Sequence, residues 1–572
     1  MTWQGWLQIG IFATLVGAAV YPLGGLMARA IEGRVWRPLA IIEGGFYRLA
    51  GVDPAREQGW REYALSLLLF HFVGIVALFV LLRLQAALPL NWQNFGAVAP
   101  DLALNTAVSF ATNTSWQSYG GETTLANLAQ MIGITVQSFL SCAAGVAVAV
   151  ALMRGIARGS ARTIGNFWVD LTRITLYVLL PICVAAAIFL VWQGVPQTLD
   201  PFASATTLEG APQLLARGPV ASQEAIKLLG GDGGGFFNVN SAHPFENPNA
   251  LAGLVEMILI FLLGGALTNT FGRMVGDQRQ GWALLAAMAV LFLVGVSVIY
   301  GSEASSSGAM TSLGVDQRAS AAQSGGNMEG KEVRFGIAQS SLFAGASTAS
   351  SDGAVDSMHD SFMPLSGLVL MANMMVDEVI VGGPGSGLFG MLLLVIVAVF
   401  AAGLMIGRTP EYIGKKIEAN EVKMAMLALL CVPAFILGLT AVACVLPAGL
   451  AGLGNSGPHG FSEILYGYTS ATATNGSAFA GLTSNTLFYN LTLALAMFAG
   501  RFFVIVPVLS IAGTLAAKRR VPVSAGTLPT HGTLFVALLI ATIVIVGGLT
   551  FLPGLALGPV AEHLAMQGGA LY

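Results

Sequence analysis

Residues 220–235 read VASQEAIKLLGGDGGG, a short helical segment followed at once by glycines that only Asp232 interrupts. The segment 220–229 is about half as long as the roughly 20 residues with which a helix crosses a bilayer. Apolar runs long enough to cross flank it at 167–193 and 249–272. Non-helical backbone at membrane depth survives only where protein or a water-filled cavity satisfies its amides and carbonyls. The stretch therefore predicts a half-crossing helix that ends in a buried polar turn.

The same arrangement occurs three more times in the chain. Short segments are predicted near 102–111, 366–377 and 460–471, and a polar turn follows each of them. These turns are Thr112-Asn113-Thr114-Ser115-Trp116-Gln117, Gly382-Gly383-Pro384-Gly385 and Asn475-Gly476-Ser477. Sequence identity between the copies is faint, so the repetition lies in hydropathy and in the placement of the turns.

The composition is that of an integral membrane protein. Of 572 residues, 55% are hydrophobic and only 10% are charged, and the mean hydropathy is +0.74. A soluble protein carries about 25% charged residues. Ten apolar runs are long enough to cross a bilayer, near 3–29, 62–88, 124–152, 167–193, 249–272, 280–301, 386–407, 422–447, 484–517 and 531–553. The predicted fold class is an all-α polytopic membrane protein with ten transmembrane helices.

Eight of the ten runs pair off around the four turns. Each pair follows the order span, half-helix, turn, span, so the chain is predicted to hold four pseudo-repeated pore units. The predicted units are an extra helix at 1–30, pore repeats at 62–152, 167–272, 280–407 and 422–520, and a last extra helix at 531–553. The third repeat includes the long polar stretch 302–364, whose charged and aromatic residues indicate an ordered external cap.

Basic residues indicate which way the chain crosses the membrane. Most of the 26 lysines and arginines fall in the loops 29–61, 154–162, 273–279, 408–423 and 518–520. The positive-inside rule makes those loops cytoplasmic. Both termini and all four turns are then predicted on the external side.

The turns have the chemistry of an ion filter. Glycine adopts backbone regions that exclude a side chain, so successive carbonyls can all point into a pore. A ring of such carbonyls replaces the hydration shell of potassium. Close helix packing through small residues is the competing explanation, but it does not account for polar turns placed directly after half-helices. Nucleotide-binding loops are excluded, because Gly-Lys-Ser/Thr does not follow any of the glycine runs.

Three polar side chains bear on the function of the turns. Gln117 closes the first turn, where its amide could assist in ion binding. Asp232 could add negative charge at the entrance or only cap its turn. Arg501 lies in the middle of the run 484–517, where a charge is expensive. It is predicted on the inner side of the bound ion, where it would hinder leak or redirect the ion. The alternative is an arginine that only pairs to hold the bundle together.

Several motifs taken together resemble one family. They are Thr112-Asn113-Thr114-Ser115-Trp116-Gln117, Gly233-Gly234-Gly235-Phe236-Phe237-Asn238, Ser241-Ala242-His243-Pro244-Phe245-Glu246-Asn247-Pro248, Met328-Glu329-Gly330-Lys331-Glu332, Arg408-Thr409-Pro410-Glu411-Tyr412-Ile413-Gly414-Lys415-Lys416 and Asn475-Gly476-Ser477-Ala478-Phe479. The sequence resembles the potassium-binding A subunits (KdpA family) of the bacterial Kdp transport ATPases over essentially its whole length.

The resemblance implies a function and partners. It implies a member of the potassium-transporter superfamily, in the bacterial inner membrane, that binds and translocates potassium for a high-affinity uptake complex. A separate P-type ATPase subunit would supply the energy, and a single-span C subunit and a small F subunit would complete the complex. Potassium would be the transported ligand, with no covalently bound cofactor.

The resemblance also implies site residues. The family's filter positions would fall on Gln117, Gly233, Gly382 or Gly383, and Gly476. The whole predicted potassium site is Thr112, Asn113, Thr114, Gln117, Asp232, Gly233, Gly234, Gly382, Gly383, Asn475 and Gly476, with Arg501 in the translocation path. Asp232 and Asp377 depart from the family pattern, which has asparagine and glycine there. These departures bear on the entrance charge and on the geometry of the third turn.

The chain is not predicted to be an enzyme on its own. Its sequence contains no Asp-Lys-Thr-Gly-Thr phosphorylation motif and no Walker loop. One alternative function is a stand-alone potassium channel or symporter of the same superfamily, and the two extra spans argue against it. A second is an ion-coupled solute carrier, which would have two inverted halves rather than four repeats of one orientation.

Overall fold

The computed structural model describes residues 1–34, 37–305, 308–522 and 527–570. In these ranges ten helices are long and apolar enough to cross a membrane, and they are called the first to tenth spans in chain order. They are Trp3–Ile31, Trp60–Arg83, Ala129–Ala157, Phe167–Gln193, Ala250–Val275, Gln278–Glu303, Ser386–Met405, Ala419–Val445, Leu487–Ala517 and Thr533–Gln567. The prediction of ten transmembrane helices is confirmed.

Four shorter buried helices, the first to fourth half-helices, each end in a polar turn. They are Pro100–Ala111, Val220–Leu229, Gly336–Ala349 and Gly457–Ala473. The first, second and fourth lie where the sequence predicted them. The third does not.

The third half-helix lies inside the stretch 302–364, which the sequence predicted to be an ordered external cap on a long loop. Gly336–Ala349 reads GIAQSSLFAGASTA and is buried at every position except Ala338. Its small side chains permit close approach to neighbouring helices. Gly345, for example, packs against Val296 of the sixth span so closely that a β-carbon would lie 2.7 Å from the valine. The prediction of a half-helix at 366–377 is therefore wrong.

The helix found near that position is one part of a broken span. Pro364–Met375 is followed by the non-helical residues 376–385 and then by the seventh span. Three residues of this break that carry side chains have positive φ, namely Asp377, Glu378 and Val381. The glycines at 382–385 thus belong to an interruption within a crossing helix. They do not follow a half-helix that ends in a filter turn.

Two spans lie outside the four repeats. The first span packs against the fifth, and the tenth packs against the sixth and the seventh. The ninth span contacts the third and eighth spans and also the first and fourth half-helices. It therefore joins the last repeat to the first, as a closed arrangement of four units requires.

Short strands and helices occupy the connections. Ala203–Thr206 pairs antiparallel with Pro212–Leu215, and Glu411–Tyr412 pairs with Lys415–Lys416. The second hairpin is anchored by Lys415, whose buried ammonium donates to the carbonyls of Leu515 (2.8 Å) and Lys518 (2.6 Å) at the end of the ninth span. The remaining short α-helices are Arg37–Ala50, Gly121–Thr124, Gly308–Ser312 and Pro447–Leu450, and Gln85–Ala87, Asn240–Ala242 and His359–Ser361 form single 3-10 turns.

Candidate functional site

Three of the four turns share an alternating backbone. Residues two apart have φ between +54° and +100° in each of them: Asn113 and Ser115, Gly231 and Gly233, Thr474 and Gly476. In the second turn the alternation ends at Gly234, which also has φ +70°. Alternation of this kind turns successive carbonyls toward the same side, as the filter hypothesis requires. The first turn achieves it without glycine, at the cost of about 1 kcal/mol or more for each strained residue.

The third turn is Ser351-Asp352-Gly353, directly after the third half-helix. Its Asp352-Gly353 repeats the Asp232-Gly233 pair of the second turn and matches Asn475-Gly476 of the fourth. That pair of residues was the signal in the sequence from which this turn could have been found. None of the residues 350–355 has a positive φ, so the third turn reaches its position with a different backbone.

The four turns meet in a closed ring. A β-carbon at Gly233 would collide with the backbone of Gly353, and one at Gly353 would lie 2.6 Å from the carbonyl oxygen of Asn475. One at Gly476 would collide with the carbonyl oxygen of Thr114. One at Gly234 would lie 3.0 Å from the carbonyl oxygen of Ser115, which completes the circuit from the first turn back to the second. The ring therefore consists of backbone from Thr114, Gly233, Gly353 and Gly476 and their neighbours.

Two asparagines tie neighbouring turns together. The side-chain amide of Asn113 donates to the carbonyls of Gly230 (3.2 Å) and Gly231 (2.9 Å). The amide of Asn475 donates to the carbonyls of Ser347 and Ser350, each at 3.0 Å. Each tie thus satisfies carbonyls at the end of the neighbouring half-helix. The first turn is joined to the second in this way, and the fourth to the third.

Gln117 lines the mouth at the end of the first turn and contacts the second turn. Its side-chain oxygen accepts from the amide of Gly235 at 2.8 Å, and its nitrogen donates to the Gly235 carbonyl at 3.2 Å. The side chain thus braces the first turn against the second. Thr112 lies at the other end of its turn, where its hydroxyl donates to the carbonyl of Val108 at 2.9 Å.

A cavity of about 670 Å³ opens on one side of the ring and is called the mouth. All four turns line it, through Ser115, Gly234, Gly353 and Gly476. Residues 330–332 of the stretch 302–364 line it as well. The buried ammonium of Lys331 holds this segment in place through the Glu303 carboxylate at 2.8 Å. Part of that stretch is therefore an ordered cover beside the mouth.

Acidic side chains surround the opposite side of the ring, called the base. Asp232, Asp352 and Glu378 are all fully buried. The Asp232 carboxylate accepts from Ser141 at 3.4 Å and does not line the mouth. Its interpretation as a charge at the entrance is therefore wrong. Burial favours the neutral form of these carboxyl groups, and a cation beside them favours the charged form.

The break at 376–385 packs under the ring. A β-carbon at Gly383 would collide with Ser351, and one at Gly231 would lie 2.6 Å from the ring of Pro384. One at Gly385 would collide with the Gly145 carbonyl in the third span. Gly382 and Gly383, predicted as the third filter turn, therefore lie beside the base. They are not part of the ring, because Gly353 occupies the corresponding place.

Arg501 reaches the same point from the ninth span. Its Nη2 donates to the Ser141 carbonyl at 3.0 Å, while its Nε has no hydrogen-bond partner among the described residues. A β-carbon at Gly145 would lie 3.0 Å from Arg501 Nη2 and 2.5 Å from the Pro384 carbonyl. Arg501 and the break therefore meet at Gly145, on the base side of the ring.

Comparison with known proteins places the chain in a family. The family model described as potassium-transporting ATPase A subunit matches residues 10–564. A Methylorubrum populi protein named potassium-transporting ATPase potassium-binding subunit is 64% identical over 575 residues, covering 100% of this chain and 99% of that protein. A protein of the same name from Rhodopseudomonas palustris is 60% identical over 576 residues, covering 100% of both.

The crystal structure of the potassium transporter TrkH from Vibrio parahaemolyticus covers 75% of this chain and 83% of its own, with 13% identity and a TM-score of 0.49. A likeness at that level decides neither fold nor function. The family model and the relatives, in contrast, match this chain almost from end to end. The chain belongs to the family of potassium-transporting ATPase A subunits.

Proposed function

We propose that this chain is the potassium-binding and translocating subunit of an ATP-driven uptake complex. The observation that carries the proposal is the closed ring of four turns, in which backbone groups of Thr114, Gly233, Gly353 and Gly476 approach one another. The chain's relatives are named as potassium-binding subunits of a potassium-transporting ATPase. A ring of backbone carbonyls is the group of ligands that replaces the hydration shell of potassium.

The proposed path runs from the mouth to the base. Basic loops at 154–162, 408–423 and 518–520 orient the mouth to the external solution in the inner membrane. Both termini then lie on the external side. An ion arriving from the mouth enters the ring and is attracted by the buried carboxylates of Asp232, Asp352 and Glu378 at the base.

Arg501 and the break at 376–385 would control the exit. The guanidinium, which donates to the Ser141 carbonyl beside Gly145, would face an ion leaving the ring straight through the base. A fixed positive charge in a medium of low dielectric repels a potassium ion strongly. This arrangement supports a barrier to downhill leak, which a pump needs and a passive channel does not. It favours the pump subunit over the alternative of a stand-alone channel.

Energy would come from other polypeptides. The sequence lacks the phosphorylation motif of a P-type ATPase. A catalytic P-type subunit, a single-span C subunit and a small F subunit are the proposed partners. Potassium is the proposed transported ligand.

Two glycine variants test which turn completes the ring. Gly353→Ala places a methyl group 2.6 Å from the Asn475 carbonyl oxygen inside the ring. Gly382→Ala instead collides with Glu378 and Gly387, which lie in the break and at the start of the seventh span. Potassium and rubidium uptake are measured in cells that have no other potassium carrier. Gly353→Ala should reduce the preference for potassium over rubidium about tenfold, or by about 1.4 kcal/mol.

Gly382→Ala should change the rate of uptake or the leak and leave that preference intact. A reduced preference in Gly382→Ala with an intact preference in Gly353→Ala would show that Gly382, not Gly353, belongs to the filter. Unchanged preference in both variants, at normal protein levels, would refute the filter itself.

A further inference from the structure

A buried lysine stands behind the second turn. Lys227, in the second half-helix, is 2% exposed, and its ammonium contacts two carboxylates, Glu224 at 2.8 Å and Glu246 at 2.7 Å. It also donates to Asn240 Oδ1 at 2.7 Å and to Ser241 Oγ at 3.1 Å. Lys227 therefore joins its half-helix to residues 240–246, which follow the turn in the chain.

The lysine determines how the Asn240 amide is oriented. Because the ammonium can only donate, it holds Oδ1 of Asn240 toward itself. The Nδ2 of the same amide then faces the other way and donates to the carbonyl of Gly234. Gly234 lies in the ring, beside Ser115 of the first turn. The Lys227 ammonium thus orients the Asn240 amide that donates to the Gly234 carbonyl.

Glu246 and Asn240 each make a further contact with the backbone that follows a turn. Glu246 Oε1 accepts from the amide of Phe237 at 2.8 Å and so fixes the chain just after the second turn. Asn240 Oδ1 also accepts from the amide of Val355 at 3.4 Å, which follows the third turn. Asn240 has φ +58°, a conformation that a side chain tolerates at a cost. The strained backbone indicates that this residue is held in place by its contacts.

We propose that Lys227 is a specificity-determining positioning residue for the second turn, acting through Asn240 and Glu246. The inference rests on the proposed function, since it takes the ring to be the potassium filter. Lys227 does not touch the ion. It positions the Gly234 carbonyl. The position of that carbonyl in turn determines how well the ring selects potassium over rubidium.

The competing role is purely structural. A buried lysine between two glutamates can hold a fold together, and removal of one partner leaves an uncompensated buried charge, which destabilises the protein. That role predicts loss of protein without a change in selectivity. Selectivity among the molecules that do assemble is therefore the measurement that separates the two roles.

Two variants and one control make the test. Lys227→Met removes the charge and keeps most of the side-chain volume. Asn240→Gly removes the link to the Gly234 carbonyl, leaves Lys227 paired with both glutamates, and relieves the positive φ. Lys415→Met is the control, because it also removes a buried ammonium. The partners of Lys415 are the carbonyls of Leu515 and Lys518, and it lies in the 411–416 hairpin outside the ring.

The measurement is uptake of potassium and of rubidium by the intact complex in cells with no other potassium carrier, normalised to the amount of protein in the membrane. Both Lys227→Met and Asn240→Gly should reduce the potassium preference roughly tenfold, and Lys415→Met should leave it unchanged. If Lys227→Met does not accumulate, Asn240→Gly decides, because it leaves no buried charge unpaired.

Wild-type preference in Asn240→Gly at normal protein levels would overturn the proposal. If the proposed function itself fails, Gly353→Ala will also keep the wild-type preference for potassium over rubidium. A loss of that preference in Gly353→Ala, together with no change in Asn240→Gly or Lys227→Met, would reject the positioning role alone.

Discussion

At the scale of single residues, the ring depends on positions at which a β-carbon cannot be accommodated. Gly233 combines φ +70° with direct contact to Gly353. We expect Gly233→Ala to raise the half-saturating potassium concentration for uptake about tenfold or more, because the methyl group displaces the neighbouring turn. Gly51→Ala is the matched control, since Gly51 has φ +65° and nothing within 4 Å of its β-position. An equal effect of both changes would mean that backbone strain alone, rather than the ring, is responsible.

Arg501 supports a prediction about coupling. Its partner is the carbonyl of Ser141, so its charge is not cancelled by a salt bridge in the contacts described. Arg501→Met should allow potassium to leak down its gradient or lower the number of ions moved for each ATP consumed. Arg501→Lys keeps the charge and should be milder. Potassium efflux and ATP consumption are measured on the assembled complex in vesicles. Wild-type coupling in a well-assembled Arg501→Met complex would leave Arg501 a structural role only.

At the scale of elements, a charged triad joins the tenth span to the fourth half-helix. His459 Nδ1 lies 2.8 Å from Glu562, and its Nε2 lies 3.4 Å from Asp360. Burial lowers the pKa of His459, but hydrogen bonds and charge from Asp360 and Glu562 outweigh burial and raise the pKa to about 10. The imidazolium therefore persists at neutral pH.

The sign of the pH dependence follows from that direction. Because the folded-state pKa lies above the unfolded value of 6.5, the stabilisation is complete below pH 6.5 and is lost as the pH rises through about 10. The melting temperature of wild-type protein should exceed that of His459→Gln by a few degrees near neutral pH. The difference should shrink as the pH approaches 10. A difference in melting temperature that stays constant from neutral pH to pH 10 would contradict a protonated His459.

The third repeat shows why hydropathy alone does not predict every buried helix. The half-helix Gly336–Ala349 is rich in serine, alanine and glycine, because protein rather than lipid surrounds it. Such a segment has no need of large apolar side chains. The break at 376–385 has the opposite appearance, since its glycines resemble those of the second turn. Only the packing of Gly353 against Gly233 and Asn475 distinguishes the turn from the break.

At the scale of the whole molecule, transport and energy supply are predicted to reside on different chains. This polypeptide, purified alone and placed in vesicles, should hydrolyse no ATP and accumulate no potassium against a gradient. The physical reason is that its sequence carries no phosphorylation motif and is only 10% charged. The measurement is ATP-dependent potassium uptake by vesicles with and without the partner subunits. Accumulation by the chain alone would refute the division of labour.

The sequence by itself determined the ten spans, three of the four half-helices and the family. These depend on hydropathy, length and local motifs, which act along the chain and need no knowledge of distant contacts. The first, second and fourth turns are recognisable for the same reason, because each follows its half-helix directly.

Only the tertiary structure decided which residues close the ring. Gly353 belongs to it and Gly382 does not, because membership depends on contacts between turns more than a hundred residues apart. The contacts of Gln117 with Gly235 and of Asp232 with Ser141 depend on tertiary packing in the same way. Local sequence specifies that a turn forms, but the neighbour that a turn meets depends on how the four repeats pack against one another.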